Sequence, residues 1–285
     1  MIQSLKTIKN RIRSIENTRK VTAAMELISV AKLNRIEKSL LNFRPYVAAL
    51  EGMLHRLLSS SPQARHVFLG EKETVSERVC LGVITSDSGL CGVYNNNIIR
   101  LAEEFVRRQD KDKITLVCIG RKGFNYFRRQ GLKVENAYLG VNGRYSDKLC
   151  LEINDKFKDM FISGAVPRIY IAYTHFRTAL SYEPRVEKFL GLEPLAADNR
   201  DYLSEPGMDI ILDELIPKYL YLKLKLIILE SFTAEHSARI VAMKSATDNA
   251  RDLLEKLTLL RNKTRQANIT QEIMEIISSS EALRG

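Results

Sequence analysis

Glycine and proline are absent from both ends of this chain, and that absence most constrains how it folds. No Gly or Pro occurs before Pro45, and none occurs between Pro217 and Gly285. Both residue types weaken helix interiors, because proline lacks a backbone donor and glycine loses the most conformational entropy on folding. Both recur between the two prolines. The sequence therefore predicts two long terminal helices that flank a globular middle.

Apolar residues repeat along both ends at alternating spacings of three and four, the pattern of a coiled coil. At the start, the repeat comprises Leu5, Ile8, Ile12, Ile15, Leu33, Ile36, Leu40 and Phe43. The same register is polar between these two groups, at Arg19, Thr22, Glu26 and Ser29. Towards the end, the repeat comprises Met243, Ala246, Ala250, Leu253, Leu257, Leu260, Thr264 and Ala267. Because one chain supplies both helices, we expect an antiparallel coiled coil.

The C-terminal helix is expected to outreach its partner, since a helical stretch of roughly 65 residues is roughly 100 Å long. Its last part, QEIMEIISSSEAL, carries Ile273, Met274, Ile276 and Ile277, which cover most of the circumference of a helix. Apolar residues on several faces need neighbours on several faces. We therefore predict that another protein holds this end.

The middle of the chain alternates between strand and helix patterns. Strands are predicted at 78–87 and 113–120, helices near 95–108, 123–130 and 146–161, and two more strands or a hairpin at 168–176 and 179–190. Asparagines are expected to cap the first of these helices at its start. This order predicts a small Rossmann-like α/β layer with some parallel pairing.

Three domains follow from these patterns. They are an N-terminal coiled-coil helix at 1–60, an α/β domain at 61–207 and a C-terminal coiled-coil helix at 208–285. Residues 219–226, YLYLKLKL, alternate with period two as in a strand. Length and the lack of helix breakers favour a helix there.

Positive charge concentrates at the two ends of the chain. The net charge is +10: residues 1–44 hold ten Lys/Arg and three Asp/Glu (+7), and residues 218–284 hold eleven and eight (+3). These ends should face anionic partners or solvent. A nucleic-acid-binding coiled coil is one rival interpretation. Interleaved aromatics and a recognition motif are both missing, so we expect only nonspecific, salt-sensitive binding.

Cysteine and histidine spacing argues against a metal site. The four cysteines, Cys80, Cys91, Cys118 and Cys150, are far apart and are expected to be buried, reduced thiols. We expect no metal and no cofactor. No apolar run is long enough to span a membrane, and the first residues lack a signal-peptide hydrophobic region. The chain is predicted to be cytoplasmic and not inserted in a membrane.

The turn SDSGLCGVYN, at 86–95, lies between a predicted strand and a predicted helix, where nucleotide-binding proteins place phosphate loops. Gly89 and Gly92 would let backbone amides approach a phosphate. The turn lacks the Gly-Lys-Ser/Thr ending of a P-loop and the Gly-x-Gly-x-x-Gly spacing of a dinucleotide site. A tight structural turn is the favoured interpretation. The alternative is a nucleotide-binding α/β protein with a coiled-coil interaction arm.

Three segments, in this order, resemble the gamma subunits of F-type ATP synthases. They are LKTIKNRIRSIENTRKVTAAMELISVAKL near the start, ITSDSGLCGVYNNNI in the middle and EHSARIVAMKSATDNARDLLEKLTLLRNKTRQANITQEIMEI at the end. The resemblance implies a non-catalytic rotor shaft whose terminal helices enter a ring of three alpha and three beta subunits. It also implies an α/β foot beside the membrane c-ring, with the epsilon subunit as companion.

The resemblance also implies roles for single residues. Arg265 and Gln266, in TRQANITQE, match the family's residues that contact a loop of one beta subunit at a time, and Met25 matches a second beta contact. An arginine fork and an amide suit contacts with carboxylates that form and break. Ile273, Met274, Ile276 and Ile277 match the tip that turns inside an apolar bearing of alpha and beta subunits. The basic residues near the chain start would face acidic beta loops.

Two departures from the family pattern concern contact details. Ser88 stands where the family commonly has a basic residue, and Arg261 stands before Asn262 where it commonly has tyrosine. The chain has no closely spaced cysteine pair, so the thiol regulation of chloroplast relatives is not expected. A chain that begins directly on the first helix is typical of bacterial members and also of mature organellar chains. The bacterial interpretation is favoured, and it predicts a location at the cytoplasmic face of the plasma membrane.

Overall fold

A computed structural model describes residues 4–60, 66–70, 77–191 and 207–282. Helix α1 spans Leu5–Ser60 and helix α5 spans Met208–Ala282. Both predicted terminal helices are confirmed, and residues 219–226 are helical. The helices continue through Pro45 and Pro217.

The chain forms two compact units. One comprises Met1–Ile28 with Ile240–Gly285, and the other comprises Ser29–Arg239. Each terminal helix therefore contributes residues to both units. The predicted domain boundaries at residues 60 and 207 stay a prediction.

The larger unit contains a five-stranded sheet between α1 and α5 in sequence. Its elements are β1 Val79–Ile84, α2 Tyr94–Arg107, β2 Ile114–Ile119, α3 Arg121–Arg129, β3 Val134–Tyr138, α4 Asp147–Ile162, β4 Arg168–Thr178 and β5 Ser181–Leu190. The strand order is β3-β2-β1-β4-β5. The first four strands are parallel, and β5 pairs antiparallel with β4. The α/β expectation is confirmed, and the last two strands form the predicted hairpin.

Two details of this sheet differ from the prediction. Strand β3 was missed, because its five residues, VENAY, mix polar and apolar side chains at a sheet edge. The predicted asparagine cap of α2 is wrong: Val93 precedes the helix without a side-chain cap. Asn95 is buried and accepts a hydrogen bond from the Ser86 backbone N–H at 3.0 Å. Its side chain joins the helix to the end of β1.

Helices cover both faces of the sheet. Helices α2 and α3 pack on one face around Leu81, Ile98 and Phe127. Helix α4 and the parts of α1 and α5 in this unit pack on the other face, around Phe157 and Phe232. Burial of these apolar side chains supplies the main favourable free energy of the unit. The result is a three-layer α/β arrangement.

In the smaller unit, the ends of α1 and α5 form an antiparallel coiled coil. The Thr22 and Thr247 hydroxyls lie 2.7 Å apart at its centre. Every predicted α1 seam position is buried or half-buried, whereas Leu253 and Leu260 of α5 are 45% and 41% exposed. The α5 seam instead follows this list: Met243, Thr247, Ala250, Leu254, Leu257, Arg261 and Thr264.

This correction has a simple geometric cause. The predicted and the observed register share one seam position in each seven-residue repeat, at Ala250 and Leu257. They differ by one residue at the other seam position. Adjacent leucines, Leu253 and Leu254, make the two registers equal in hydrophobicity at one position, whereas Ala246 and Leu260 are more apolar than Thr247 and Arg261 and favoured the predicted register. Packing of α5 against α1 selects the second. Ala267, which was also predicted in the seam, is exposed.

Candidate functional site

Helix α5 is exposed on all sides along its last turns. Every side chain described from residue 265 to residue 280 is exposed, including Ile273, Met274, Ile276 and Ile277. Ile276 is the most exposed of these four, at 69%. Thr264 is the last half-buried residue of the seam, and by the Thr22–Thr247 register it lies level with Leu5, the first residue of α1. The tip therefore extends past the described part of its partner helix.

Arg265 and Gln266 lie at the base of this exposed tip. Among the described residues, the Arg265 side chain makes no hydrogen bond and no ion pair, and the Gln266 side chain is exposed beside it. Such a pair offers a fork of donors and an amide to a carboxylate outside the chain. Met25, on α1, is half-buried. It lies level with Lys244, so roughly 30 Å of helix separates its position from Arg265.

The predicted contact residues thus occupy two levels of the coiled coil. The basic residues near the start of α1, namely Lys6, Lys9, Arg11, Arg13 and Lys20, are exposed, and Arg19 is half-buried. These cations surround the lower-numbered half of α1. They give this part of the unit a positive surface.

In the larger unit, the turn after β1 carries a carboxylate that accepts hydrogen bonds from backbone amides of the same chain. The Asp87 carboxylate accepts hydrogen bonds from the backbone N–H groups of Arg121 and Gly140, each at 3.0 Å, and of Asn142 at 2.7 Å. Arg121 is the first residue of α3. Amides at a helix start form the site where a nucleotide phosphate binds in related layouts. Here Asp87 occupies that position.

Residues 227–239 of α5 lie across the ends of the strands and are all buried. The Ser231 carbonyl accepts from the Tyr94 hydroxyl at 3.1 Å, and its hydroxyl accepts from the Thr174 N–H at 3.3 Å. The crevice beside the central strand is the usual ligand site of an open α/β sheet. Helix α5 closes it with hydrogen bonds from its own side chains.

Three charged or titratable side chains of this segment form a compact group. Arg239 donates to Glu235 at 2.8 Å and to the Ser88 hydroxyl at 3.2 Å. Desolvation raises the pKa of the Glu235 carboxyl. Desolvation also lowers the pKa of His236 to about 4, so this buried ring is neutral near pH 7. Its Nε2 donates to the Gly143 carbonyl at 3.0 Å.

A second group binds α1 to the hairpin and to α5. Glu230 is buried and accepts from Arg44 at 2.8 Å and from His175 Nδ1 at 2.6 Å, while Arg44 also donates to the Phe176 carbonyl. A cavity of about 230 Å³ lies beside this group. Other charges on its wall also pair with one another, as in Lys223 with Glu51. The group is a structural crosslink between three elements.

The sequence pattern did not single out the buried polar residues of α5. Those residues lie in ESFTAEHSAR, residues 230–239, which by sequence resembles an ordinary polar helix surface. The available signal was the spacing of Glu235 and Arg239, four residues apart, which permits an ion pair on one helix face.

The four cysteines are buried and form no disulfide, as predicted. No helix in the described residues is long and apolar enough to cross a membrane.

Comparison with solved structures shows the same fold in rotary complexes. The chain matches a Euglena gracilis mitochondrial ATP synthase structure (OSCP/F1/c-ring) with a TM-score of 0.66 at 18% identity, covering 98% of this chain and 94% of that one. A Tetrahymena thermophila central stalk/c-ring structure matches with a TM-score of 0.62 at 19% identity, over 79% and 99%. At these identities the likeness is one of fold.

Sequence comparison is more specific. A family model described as ATP synthase matches residues 4–283. The ATP synthase gamma chain of Chlorobaculum tepidum is 38% identical over 290 residues, covering 99% of each chain. That of Heliobacterium modesticaldum is 36% identical over 290 residues, covering 98% of this chain and 99% of the relative. With such relatives along essentially its whole length, the chain belongs to the ATP synthase gamma chain family.

Proposed function

We propose that this chain is the central rotor shaft of a rotary F-type ATP synthase and that it performs no catalysis itself. One observation carries the proposal: in a member of the gamma chain family, the end of α5 exposes apolar residues on every side. A lone chain gains nothing from such a tip. A shaft that turns within a ring of subunits needs it.

The proposed partners are three alpha and three beta subunits, an epsilon subunit and the membrane c-ring. Arg265 and Gln266 contact one beta subunit at a time, and Met25 contacts beta at the second level of the coiled coil. Each rotation step presents a different face of the coiled coil to each beta subunit. The chain thereby shifts the conformational populations of three otherwise identical catalytic sites.

The tip residues Ile273, Met274, Ile276 and Ile277 run in an apolar bearing formed by alpha and beta subunits. Apolar contacts have no preferred direction, so they exclude water without fixing a rotational position. Polar contacts at Arg265 and Gln266 are directional and exchange partners during rotation. The two kinds of contact would divide the work of guiding the shaft and sensing its angle.

The chain is proposed to lie at the cytoplasmic face of a bacterial plasma membrane, held there by the complex. The relatives named above in Chlorobaculum and Heliobacterium are bacterial proteins. The chain itself is proposed to insert in no membrane and to bind no nucleic acid, metal or cofactor. The nucleotide-binding alternative, which concerns the Gly89/Gly92 turn before α2, is disfavoured because that turn lacks both phosphate-loop patterns and is held to α5 by the hydrogen bond from Arg239 to Ser88.

Reconstitution with the cognate alpha and beta subunits tests the proposal. Complex formation and ATP hydrolysis are measured for the wild-type chain, for Arg265→Ala/Gln266→Ala and for the control Gln271→Ala. At about 100° per residue, Gln271 lies roughly 120–140° around the helix from Arg265 and Gln266, so the control removes an exposed polar side chain from another face of the same tip. We expect hydrolysis to fall severalfold in the first variant alone. A wild-type chain that neither joins the ring nor stimulates hydrolysis would refute the rotor assignment.

A further inference from the structure

The loop at residues 139–145, between β3 and α4, contacts three other parts of the larger unit. Its Gly140 and Asn142 amides donate to Asp87, which follows β1. The Asn142 carbonyl accepts from Lys32 of α1 at 3.2 Å. The Gly143 carbonyl accepts from His236 of α5. One loop thus joins the sheet to both long helices.

The backbone of this loop is held in an unusual conformation. Gly140, Asn142 and Gly143 have φ values of 78°, 51° and 63°, in the left-handed region that L side chains rarely adopt. A Cβ at Gly143 would lie 2.6 Å from His236 Nε2, whereas a Cβ at Gly140 would meet nothing within 4 Å. The two glycines therefore share the same backbone demand, and only Gly143 also needs the space beside α5.

These hydrogen bonds add a directional constraint to the packing of the core. The interdigitated apolar side chains of α1, α5 and the sheet resist both separation and rotation. Hydrogen bonds weaken steeply when their angle changes. The bonds of His236 and Lys32 therefore help to hold the rotational position of each helix relative to the strands. Asp87 fixes the loop itself through three amides at the ends of β2 and β3.

We propose that the 139–145 loop, anchored by Asp87, is a joint that carries torque between the sheet and the two long helices. This inference rests on the proposed rotor function, because torque has meaning only for a rotating subunit. Asp87, Gly143 and His236 act as positioning residues and touch no nucleotide. Loosening the joint lets the sheet and the helices turn slightly against each other under load.

The test uses the complete ATP synthase in inverted membrane vesicles. ATP hydrolysis and ATP-driven ion uptake are measured at equal amounts of assembled complex for Gly143→Ala, Asp87→Asn and Gly131→Ala. Ion uptake needs torque to reach the membrane, whereas hydrolysis needs only the ring and the coiled coil. We expect the ratio of ion uptake to hydrolysis to fall about two- to thirtyfold in the first two variants, the range for mutations in a coupling network.

Gly131 lies outside the loop, has a φ of 74° and leaves open space for a Cβ, so Gly131→Ala controls for backbone strain without the contact to α5. Its ratio should match that of the wild type. Equal ratios in Gly143→Ala and Gly131→Ala, or an unchanged ratio in Asp87→Asn, would overturn the joint. If Gly143→Ala does not assemble, Asp87→Asn decides alone. A wild-type complex that contains the chain and pumps ions keeps the proposed function intact in either case. A wild-type complex without the chain refutes that function separately.

Discussion

Two stretches of the same helix invert the usual relation between polarity and burial. Residues 227–239 of α5 are all buried although seven of them, from Glu230 to Arg239, are polar or charged. Residues 265–277 are all exposed although Ile269, Ile273, Ile276 and Ile277 are among them. The first stretch finds its partners in other elements of the chain, whereas the side-chain hydrogen bonds of the second stay within the helix, as from Gln271 to Glu275.

The contrast teaches where each stretch obtains its stability. Buried polar groups are tolerated when hydrogen bonds replace lost water, and the sheet, α1 and the 139–145 loop supply most of those bonds. Glu235 Oε2 and Arg239 Nε have no partner among the described residues. Exposed apolar groups add nothing to the free chain. Substitutions in 227–239 should therefore lower the stability of the free chain. Substitutions in 265–277 should leave that stability unchanged and should instead change the assembly or activity of the complex.

The largest effect is expected from Glu230→Ala. This change leaves Arg44 and His175 without their shared carboxylate, and breaking a buried ion pair costs roughly 3–5 kcal/mol. Urea unfolding of the full chain measures it. The matched control is Glu272→Ala, an exposed glutamate on the same helix, which should change stability by less than about 0.5 kcal/mol. Similar losses in the two variants would contradict the contrast.

The next effect is a pH dependence caused by His236. Burial lowers its pKa to about 4 in the folded chain, against an ordinary 6.5, so the unfolded chain binds more protons between these values. Stability is unaffected above about pH 6.5 and falls as the pH drops towards 4. The full loss is about 3 kcal/mol, at 1.36 kcal/mol per pKa unit.

Denaturant midpoints between pH 7 and pH 4 measure this slope. The His236→Gln variant can still donate to the Gly143 carbonyl, and it should lose most of the slope. His66 has a pKa lowered by its own burial and adds a slope of the same sign in every variant. Exposed His55 provides the control: His55→Gln should keep the wild-type slope. An equal slope in wild type and His236→Gln would rule out this assignment.

These residues also mark how far sequence reasoning reaches. The long helices follow from the absence of Gly and Pro, and β1 and β2 follow from short apolar runs that are buried throughout. The choice between Leu253 and Leu254 does not follow, since the two adjacent leucines offer the same side chain at this position in either register. The role of Asp87 could not be predicted either, because its partners are backbone amides at the start of α3 and in the distant 139–145 loop.

The candidate site divides in the same way. The roles of Arg265 and Gln266 came from a resemblance, whereas the need of the four tip residues for a partner followed from their distribution around the helix. Their contacts with other subunits remain proposals. The buried group of Glu235, His236 and Arg239 came only from the structure, because a helical segment with polar residues on every face reads as solvent-exposed. Burial of such a segment depends on what the rest of the chain places around it.

A smaller effect is expected at the centre of the coiled coil, where Thr22 and Thr247 meet. Replacing either residue with valine keeps the shape and removes the hydrogen bond between the two hydroxyls, at a cost of about 0.5–1 kcal/mol, because the remaining hydroxyl still donates to the carbonyl of Arg19 or Met243 in its own helix. Replacing both removes the polar pair and should cost less than the two single changes added together. A double-mutant cycle on the full chain measures this coupling. Strict additivity would show that the two hydroxyls do not stabilise each other.

The smallest effect on the free chain is expected from Ile273→Gln/Ile276→Gln at the exposed tip. Neither side chain loses burial, so the free energy of unfolding should change by less than about 0.5 kcal/mol. The contrasting variant, Ile228→Ala, deletes a fully buried side chain of the same helix and should cost about 2–5 kcal/mol.

In the reconstituted complex, assembly should be weakened more by the tip variant than by Ile228→Ala. The glutamines would place polar amides against the proposed apolar bearing, and binding of the shaft to the alpha–beta ring should weaken severalfold. A tip variant that destabilises the free chain as much as Ile228→Ala would mean that the tip packs within the chain. Unchanged assembly of the tip variant would refute the proposed apolar bearing.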